Sequence, residues 1–193
     1  MQRHRPSEDE NYKTCCPSCG EGLLSMDQVC YELSNLESIC IFIVSCQKCG
    51  FRHMDILELN PHQEPSRIIV RIEKPDDLNH LVVRSSYASI RMPELNVTIT
   101  PGPYAQGIIT TIEGFLHRAK EIAEFLFSCD LNEEQRRDCL QTLEKIEAAI
   151  NGNMAFTFMI EDPSGLSVII PKEGVTTKII KEPLKTKDID INV

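Results

Sequence analysis

Cys16-Pro17-Ser18-Cys19-Gly20 and Cys46-Gln47-Lys48-Cys49-Gly50 are two copies of one pattern, CxxCG, with 26 residues separating the two cysteine pairs. Each CxxC brings two thiolates from one tight turn to a metal ion at about 2.3 Å, and the glycine that follows permits the left-handed backbone such a turn needs. Four thiolates in two matched pairs fit a tetrahedral, structural Zn²⁺ held by Cys16, Cys19, Cys46 and Cys49. A redox CxxC of the thioredoxin kind occurs once, at a strand-to-helix junction, without a matching pair. The interval between the knuckles suits a single β-hairpin. Met26 to Leu33 and Ser38 to Ser45 are β-prone runs joined by the turn-like Ser34-Asn35-Leu36-Glu37, and Met54 to Leu59 alternates as a third strand. The first ten residues show no periodicity and read as a frayed lead-in. The expectation is a zinc ribbon over residues 12–60, with a boundary near Asn60 to Pro65.

Working outward, 193 residues at 41% hydrophobic can bury one substantial core beside the small metal-stabilised module. No apolar run approaches the ~20 residues of a membrane span, and Met1-Gln2-Arg3-His4-Arg5 lacks the apolar stretch of a secretion signal. The chain is therefore expected in the cytoplasm, where nine cysteines suit metal ligation better than disulfides. With 20 Lys and Arg against 29 Asp and Glu, the net charge of −9 opposes non-specific binding to phosphates.

Residues 61–193 read as a second, mainly β domain. Strand candidates at Arg67 to Glu73, Leu81 to Ser85, Ala88 to Met92 and Leu95 to Thr100 are punctuated by Pro75-Asp76-Asp77, Pro93 and Pro101-Gly102-Pro103, a spacing that argues for a sandwich or a jelly roll. A helical hairpin interrupts them at about residues 110–151. Thr110-Thr111-Ile112-Glu113 fits a capping box, followed by Phe115, Leu116, Ala119, Ile122, Ala123 and Leu126 at helical spacing. The second helix starts at Asn132, with Gln135 completing its cap, and presents Leu140, Leu143, Ile146, Ala149 and Ile150 as its apolar face before the Asn151-Gly152 stop. Ala155 to Glu161 then returns to β structure, Asp162-Pro163-Ser164-Gly165 turns the chain, and Leu166 to Ile170 is the return strand. Thr176 to Ile180 is a further edge-strand candidate.

The ribbon, the Thr110-Thr111-Ile112-Glu113-Gly114 helix start and the Phe156-Thr157-Phe158-Met159-Ile160-Glu161-Asp162-Pro163-Ser164-Gly165 segment occur in an order that resembles the ZPR zinc-finger protein family. The resemblance covers about Cys16 to Ile170. It implies a zinc ribbon followed by a double-stranded β-helix, jelly-roll-like domain carrying the helical hairpin. Eukaryotic members have two such modules in tandem, so this chain is similar to the single-module, archaeal type. The family further implies binding to translation elongation factor 1-alpha, for which eukaryotic relatives act as a folding chaperone. Members commonly have Gly-Asn-Ser after the Asp-Pro turn, where this chain has Gly165-Leu166-Ser167.

Other chemically capable residues have plainer readings. Cys15 adjoins a ligand, but Cys16 keeps the CxxCG register. Cys30 and Cys40, on the two hairpin strands, are expected as free buried thiols, and Cys129 and Cys139 as packing residues. His4, His53, His62, His80 and His117 are isolated, and the HxH pair of a metal-dependent jelly-roll enzyme is absent. His53 lies near the second knuckle, which is already complete. Asp162 reads as a turn carboxylate and Glu113 as a cap. No GxxxxGK[ST], GxSxG or HExxH occurs. The expected function is a non-enzymatic zinc-binding adaptor or chaperone that contacts its partner through the ribbon and the hairpin. The alternative is a zinc-ribbon nucleic-acid-binding or transcription-associated factor, which requires a basic face around Lys48, Arg52 and Arg67.

Overall fold

The fold is taken from a computed structural model, which describes residues 3–4, 14–32, 38–58 and 64–184. The expected turn Ser34 to Glu37 lies outside the described residues, as does most of the expected boundary segment. The ribbon sheet consists of β1 (Arg3–His4), β2 (Leu24–Glu32), β3 (Ser38–Cys46) and β4 (Arg52–Glu58), antiparallel in that order. β1 corrects the reading of the lead-in: Arg3 and His4 pair with Tyr31 and Cys30 along the β2 edge. Two residues carry no detectable alternation, so only the open edge of β2 reveals them.

The larger part is a jelly roll of two sheets with the helices against it. Its strands are β5 (Ser66–Ile72), β6 (Leu81–Arg84), β7 (Ser89–Met92), β8 (Val97–Ile99), β9 (Ile108–Thr111), β10 (Phe156–Asp162), β11 (Val168–Ile170) and β12 (Ile179–Pro183). One sheet has the order β12-β5-β10-β7-β8 and the other β11-β6-β9. Period-two patterning sets the register of the first. Ile68, Val70 and Ile72 oppose Ile160, Phe158 and Phe156 on the inward face, all at most 3% exposed. Helices α1 (Ile112–Phe127) and α2 (Glu133–Ile150) bury Ile112, Phe115, Leu116, Ala119, Ile146 and Ala149 in the same core. The rings of Phe115 and Phe158 tilt together at 5.8 Å.

Four expectations change here. The Asp162 turn does not fold back a hairpin, because β10 is already paired on both sides, by β5 and β7. The turn instead passes the chain to the other sheet, where β11 pairs with β6. The α1 cap is one residue later than expected. Thr110 and Thr111 belong to β9, Thr110 opposite Val82, so the Thr111 hydroxyl accepts the Gly114 N–H and Glu113 is left outside the box. The Asn132–Gln135 box is present in both directions. The C-terminal edge strand sits three residues further on than expected. Finally, the hairpin packs through less of its apolar face than its spacing suggested: Ile122, Leu126 and Leu140 are 54%, 48% and 46% exposed, and Leu143 is half-buried.

Ribbon and jelly roll meet through Ile56 of β4, 1% exposed, which packs with Val83 and the flanking Ile109, Val168 and Ile170. The Met54 N–H donates to Gln106 Oε1 at 3.3 Å. Gly107 makes the approach possible, since a Cβ there would lie 2.8 Å from Ile56 Cγ1.

Candidate metal centre

Each knuckle is built by its backbone. Gly20 N donates to the Cys16 carbonyl at 2.8 Å and Gly50 N to that of Cys46 at 2.9 Å, with both glycines left-handed at φ 70° and 75°. Cys16 N bonds the Gly22 carbonyl and Cys46 N that of Phe51. These turns close the ends of β2, β3 and β4, so the register Leu24↔Cys46 and Ser45↔Arg52 brings the knuckles face to face.

The four sulfurs consequently converge. All lie within 4.8 Å of one another, with Cys16 and Cys49 at 3.6 Å and Cys19 and Cys46 at 4.0 Å. A tetrahedron with Zn–S bonds of about 2.3 Å has S···S edges of about 3.8 Å, so one zinc ion fits the set. The electrostatics agree. Backbone N–H bonds from Glu21 and Gly22 lower the Cys19 pKa to about 7, and the Cys49 N–H lowers that of Cys46. The Phe51 N–H favours the Cys49 thiolate too, but burial and the neighbouring thiols Cys16, Cys46 and Cys19 push Cys49 up to about 11. Four sulfurs this close hold four negative charges only around a cation, and zinc binding displaces the remaining protons.

Among the described residues this is the one His, Cys, Asp and Glu group with metal-binding geometry. Cys15 is exposed and bridges to Leu23 instead. His80 is buried in the jelly roll, its Nδ1 accepting the Lys172 N–H. Asp162 is a turn carboxylate as expected. Its oxygens accept the N–H and hydroxyl of both Ser164 and Ser167, holding the segment that changes sheets. Cys30 and Cys40 correct the free-thiol reading: as Cα partners in the β2–β3 register they face each other and form a disulfide. Strand pairing alone brings them together, and the sequence had already placed both on the hairpin. Cys129 and Cys139 donate to the Phe125 and Ala123 carbonyls within the helix pair.

The basic face required by a nucleic-acid factor is largely neutralised. Lys48 pairs with Glu21, and Arg67 with Glu161 and Glu182, while Arg52 is exposed. One site residue went unrecognised in the sequence. A Cβ on Gly22 would fall 2.3 Å from Cys46 Sγ and 3.3 Å from Cys19 Sγ, so the centre has room only for glycine.

A four-cysteine ribbon followed by a jelly roll with an inserted helical hairpin defines a zinc-finger protein with a β-sandwich body. The sequence model of the ZPR1 jelly-roll domain matches residues 76–189. An uncharacterized ZPR1-like protein of Methanocaldococcus jannaschii is 36% identical over 86% of this chain and 84% of its own length. A second, from Pyrococcus horikoshii, is 33% identical over 88% and 78%. The chain belongs to the ZPR1 family. It is also 27% identical to the zinc finger chaperone zpr1 of Schizosaccharomyces pombe, over 85% of this chain but 36% of that protein. No helix among the described residues is long and apolar enough to cross a membrane.

Proposed function

We propose that this chain is a non-enzymatic adaptor or chaperone of the cytoplasm that binds a translation elongation factor of the 1-alpha type. In this reading residues 12–60 and 61–193 are its two units, and Cys16, Cys19, Cys46 and Cys49 hold one structural zinc. The observation that carries a protein-binding role is the apolar surface left open on the helical hairpin. Ile122, Phe125 and Leu126 recur at i, i+3 and i+4 on α1 and are 54%, 68% and 48% exposed, with Leu140 of α2 at 46%. The ribbon adds Leu23 and Met26, 57% and 50% exposed, on loops and strands that zinc makes rigid at low ordering cost. The name of the fission-yeast relative supports the chaperone reading.

Zinc-loaded protein should retain the purified factor at moderate salt. Two variants should lose it: Cys46→Ser with Cys49→Ser, which removes the ribbon, and Phe125→Asp, which makes the hairpin surface polar. Failure to bind the factor in both nucleotide-free and GTP-bound forms, together with DNA or RNA binding that weakens by roughly 0.9 log units per log unit of salt for each phosphate contacted, would replace this reading by the nucleic-acid one.

A further inference from the structure

Cys30 and Cys40 are joined, whereas the other seven of the nine cysteines are free. Four of those seven converge at the metal centre, where they hold a cation only as reduced thiolates. One bond has therefore formed selectively in a chain whose remaining thiols persist, and the β2–β3 register supplies the selectivity. It sets Cys30 directly opposite Cys40, six residues along each strand from the Leu24↔Cys46 pair at the metal end.

Three features suit this bond to opening and reclosing. It is reachable: Ile41 and Ile56 are partners on the face that meets the jelly roll, so period-two alternation turns Cys30 and Cys40 to the opposite face. Cys30 is half-buried there and Cys40 fully buried, which makes the Cys30 sulfur the one an incoming thiolate meets. It has a donor beside it. Gln28, two residues before Cys30 on the same face, donates from Nε2 to Cys30 Sγ at 3.1 Å and to Cys40 Sγ at 3.6 Å, and such a donor stabilises the thiolates that opening leaves. Opening also leaves the two sulfurs side by side, because the ladder from Leu24 to Glu32 and the knuckle turns hold the strands together.

We propose that Cys30 and Cys40 are a redox-active pair that exchanges with a low-molecular-weight thiol and its disulfide, and that the state of the pair sets how firmly the ribbon holds zinc. A small thiolate attacks Cys30 Sγ, the Cys30–Cys40 bond breaks, and Cys40 leaves as a thiolate. A second small thiolate attacks the small-molecule sulfur of the mixed disulfide, which frees Cys30 and releases the small-molecule disulfide. The two small thiols lose two electrons, the protein gains them, and the two protons end on Cys30 and Cys40. Disulfide and zinc restrict the same hairpin from opposite ends, so closing either one lowers the ordering cost of the other.

The test equilibrates the zinc-loaded full chain, without oxygen, in glutathione and glutathione disulfide at varied ratio, alkylates the free thiols and maps Cys30 and Cys40 by mass spectrometry of their peptides. The pair should pass from oxidised to reduced in one two-electron transition within the range that glutathione covers. Competition with a chelator should then show zinc held about 10- to 100-fold more weakly by Cys30→Ser with Cys40→Ser than by the oxidised wild type, the loss that removing a cross-link over so short a loop implies. A pair that stays oxidised, or stays reduced, across the whole range would overturn the redox role. Equal zinc affinity in the two proteins would overturn the coupling to the metal.

Discussion

Gly22→Ala is the sharpest test of the metal centre, because it adds one methyl group to a residue that ligates nothing. The new Cβ would stand 2.3 Å from Cys46 Sγ and 3.1 Å from Lys48 Cβ. Optimal non-bonded separations are about 3.5–4.0 Å, so either the sulfur or the knuckle must move by about 1.2 Å or more. Metal–ligand distances tolerate about 0.2 Å. Overpacking of this kind costs about 1–3 kcal/mol, which lowers zinc affinity about 5- to 150-fold if the strain is relieved at the sulfur. Gly20→Ala is the matched control: it has φ 70° but nothing within 4 Å of its would-be Cβ. Its cost is the left-handed backbone alone, about 1–2 kcal/mol, with no displacement of a ligand. Competition for zinc against a chromophoric chelator measures both, and the geometry of the site in each variant can be compared by the absorption of the cobalt-substituted protein. Gly22→Ala should weaken binding and distort the tetrahedral cobalt spectrum, while Gly20→Ala should keep the spectrum. A wild-type spectrum and affinity in Gly22→Ala would show that the knuckles do not approach as described.

Chelation of zinc should raise hydrogen exchange across residues 14–58 while residues 66–182 stay protected; uniform protection would mean that the ribbon sheet stands without metal. In urea denaturation Ile146→Ala, at a fully buried site, should cost about 2–5 kcal/mol, whereas Leu140→Ala should cost less than ~1 kcal/mol, and the reverse order would refute the packing of α2. His80 supplies a pH dependence. Burial lowers its pKa below the ordinary 6.5 despite Asp77, so the unfolded chain takes up a proton that the folded one refuses. Its contribution to stability is complete above about pH 6.5 and should be lost as pH falls, by at most about 1.4 kcal/mol per unit. His80→Gln should flatten that slope between pH 7.5 and 5.5.

The convergence of the four cysteines was legible because CxxCG is a local signal: two cysteines and a glycine specify a knuckle wherever it falls. Gly22 was not, because what forbids a side chain there is Cys46, brought close only by the β2–β3 pairing. The same distinction separates the helices from the strands. The Asn132–Gln135 box depends on four consecutive residues and was read correctly. The Thr110 box failed because a partner strand, β6, claims Thr110 first. β9 itself has four half-buried residues without alternation, and nothing in its own pattern marks it.

Which face a strand presents is local, whereas which neighbour it takes is not, and the Asp162 segment shows why the second question decides the architecture. Phe156, Phe158 and Ile160 were recognisable as one inward face, and Asp162-Pro163-Ser164-Gly165 as a turn. A turn after a strand ordinarily implies a hairpin, but that inference assumes an open edge. Here β5, from some ninety residues earlier, and β7 occupy both edges of β10. The departing strand must therefore find another sheet. The four hydrogen bonds that Asp162 accepts from Ser164 and Ser167 hold the backbone through this change. The Ser85 N–H adds a bond to the Ser167 hydroxyl at 3.0 Å, tying the arriving chain to the end of β6, beside which β11 then pairs. Leu166 brings no polar side chain to this linkage; Ser164 and Ser167 carry it. The turn is thus a junction between the two layers of the jelly roll, and its carboxylate is structural for a reason that appears only once both edges of β10 are seen to be filled.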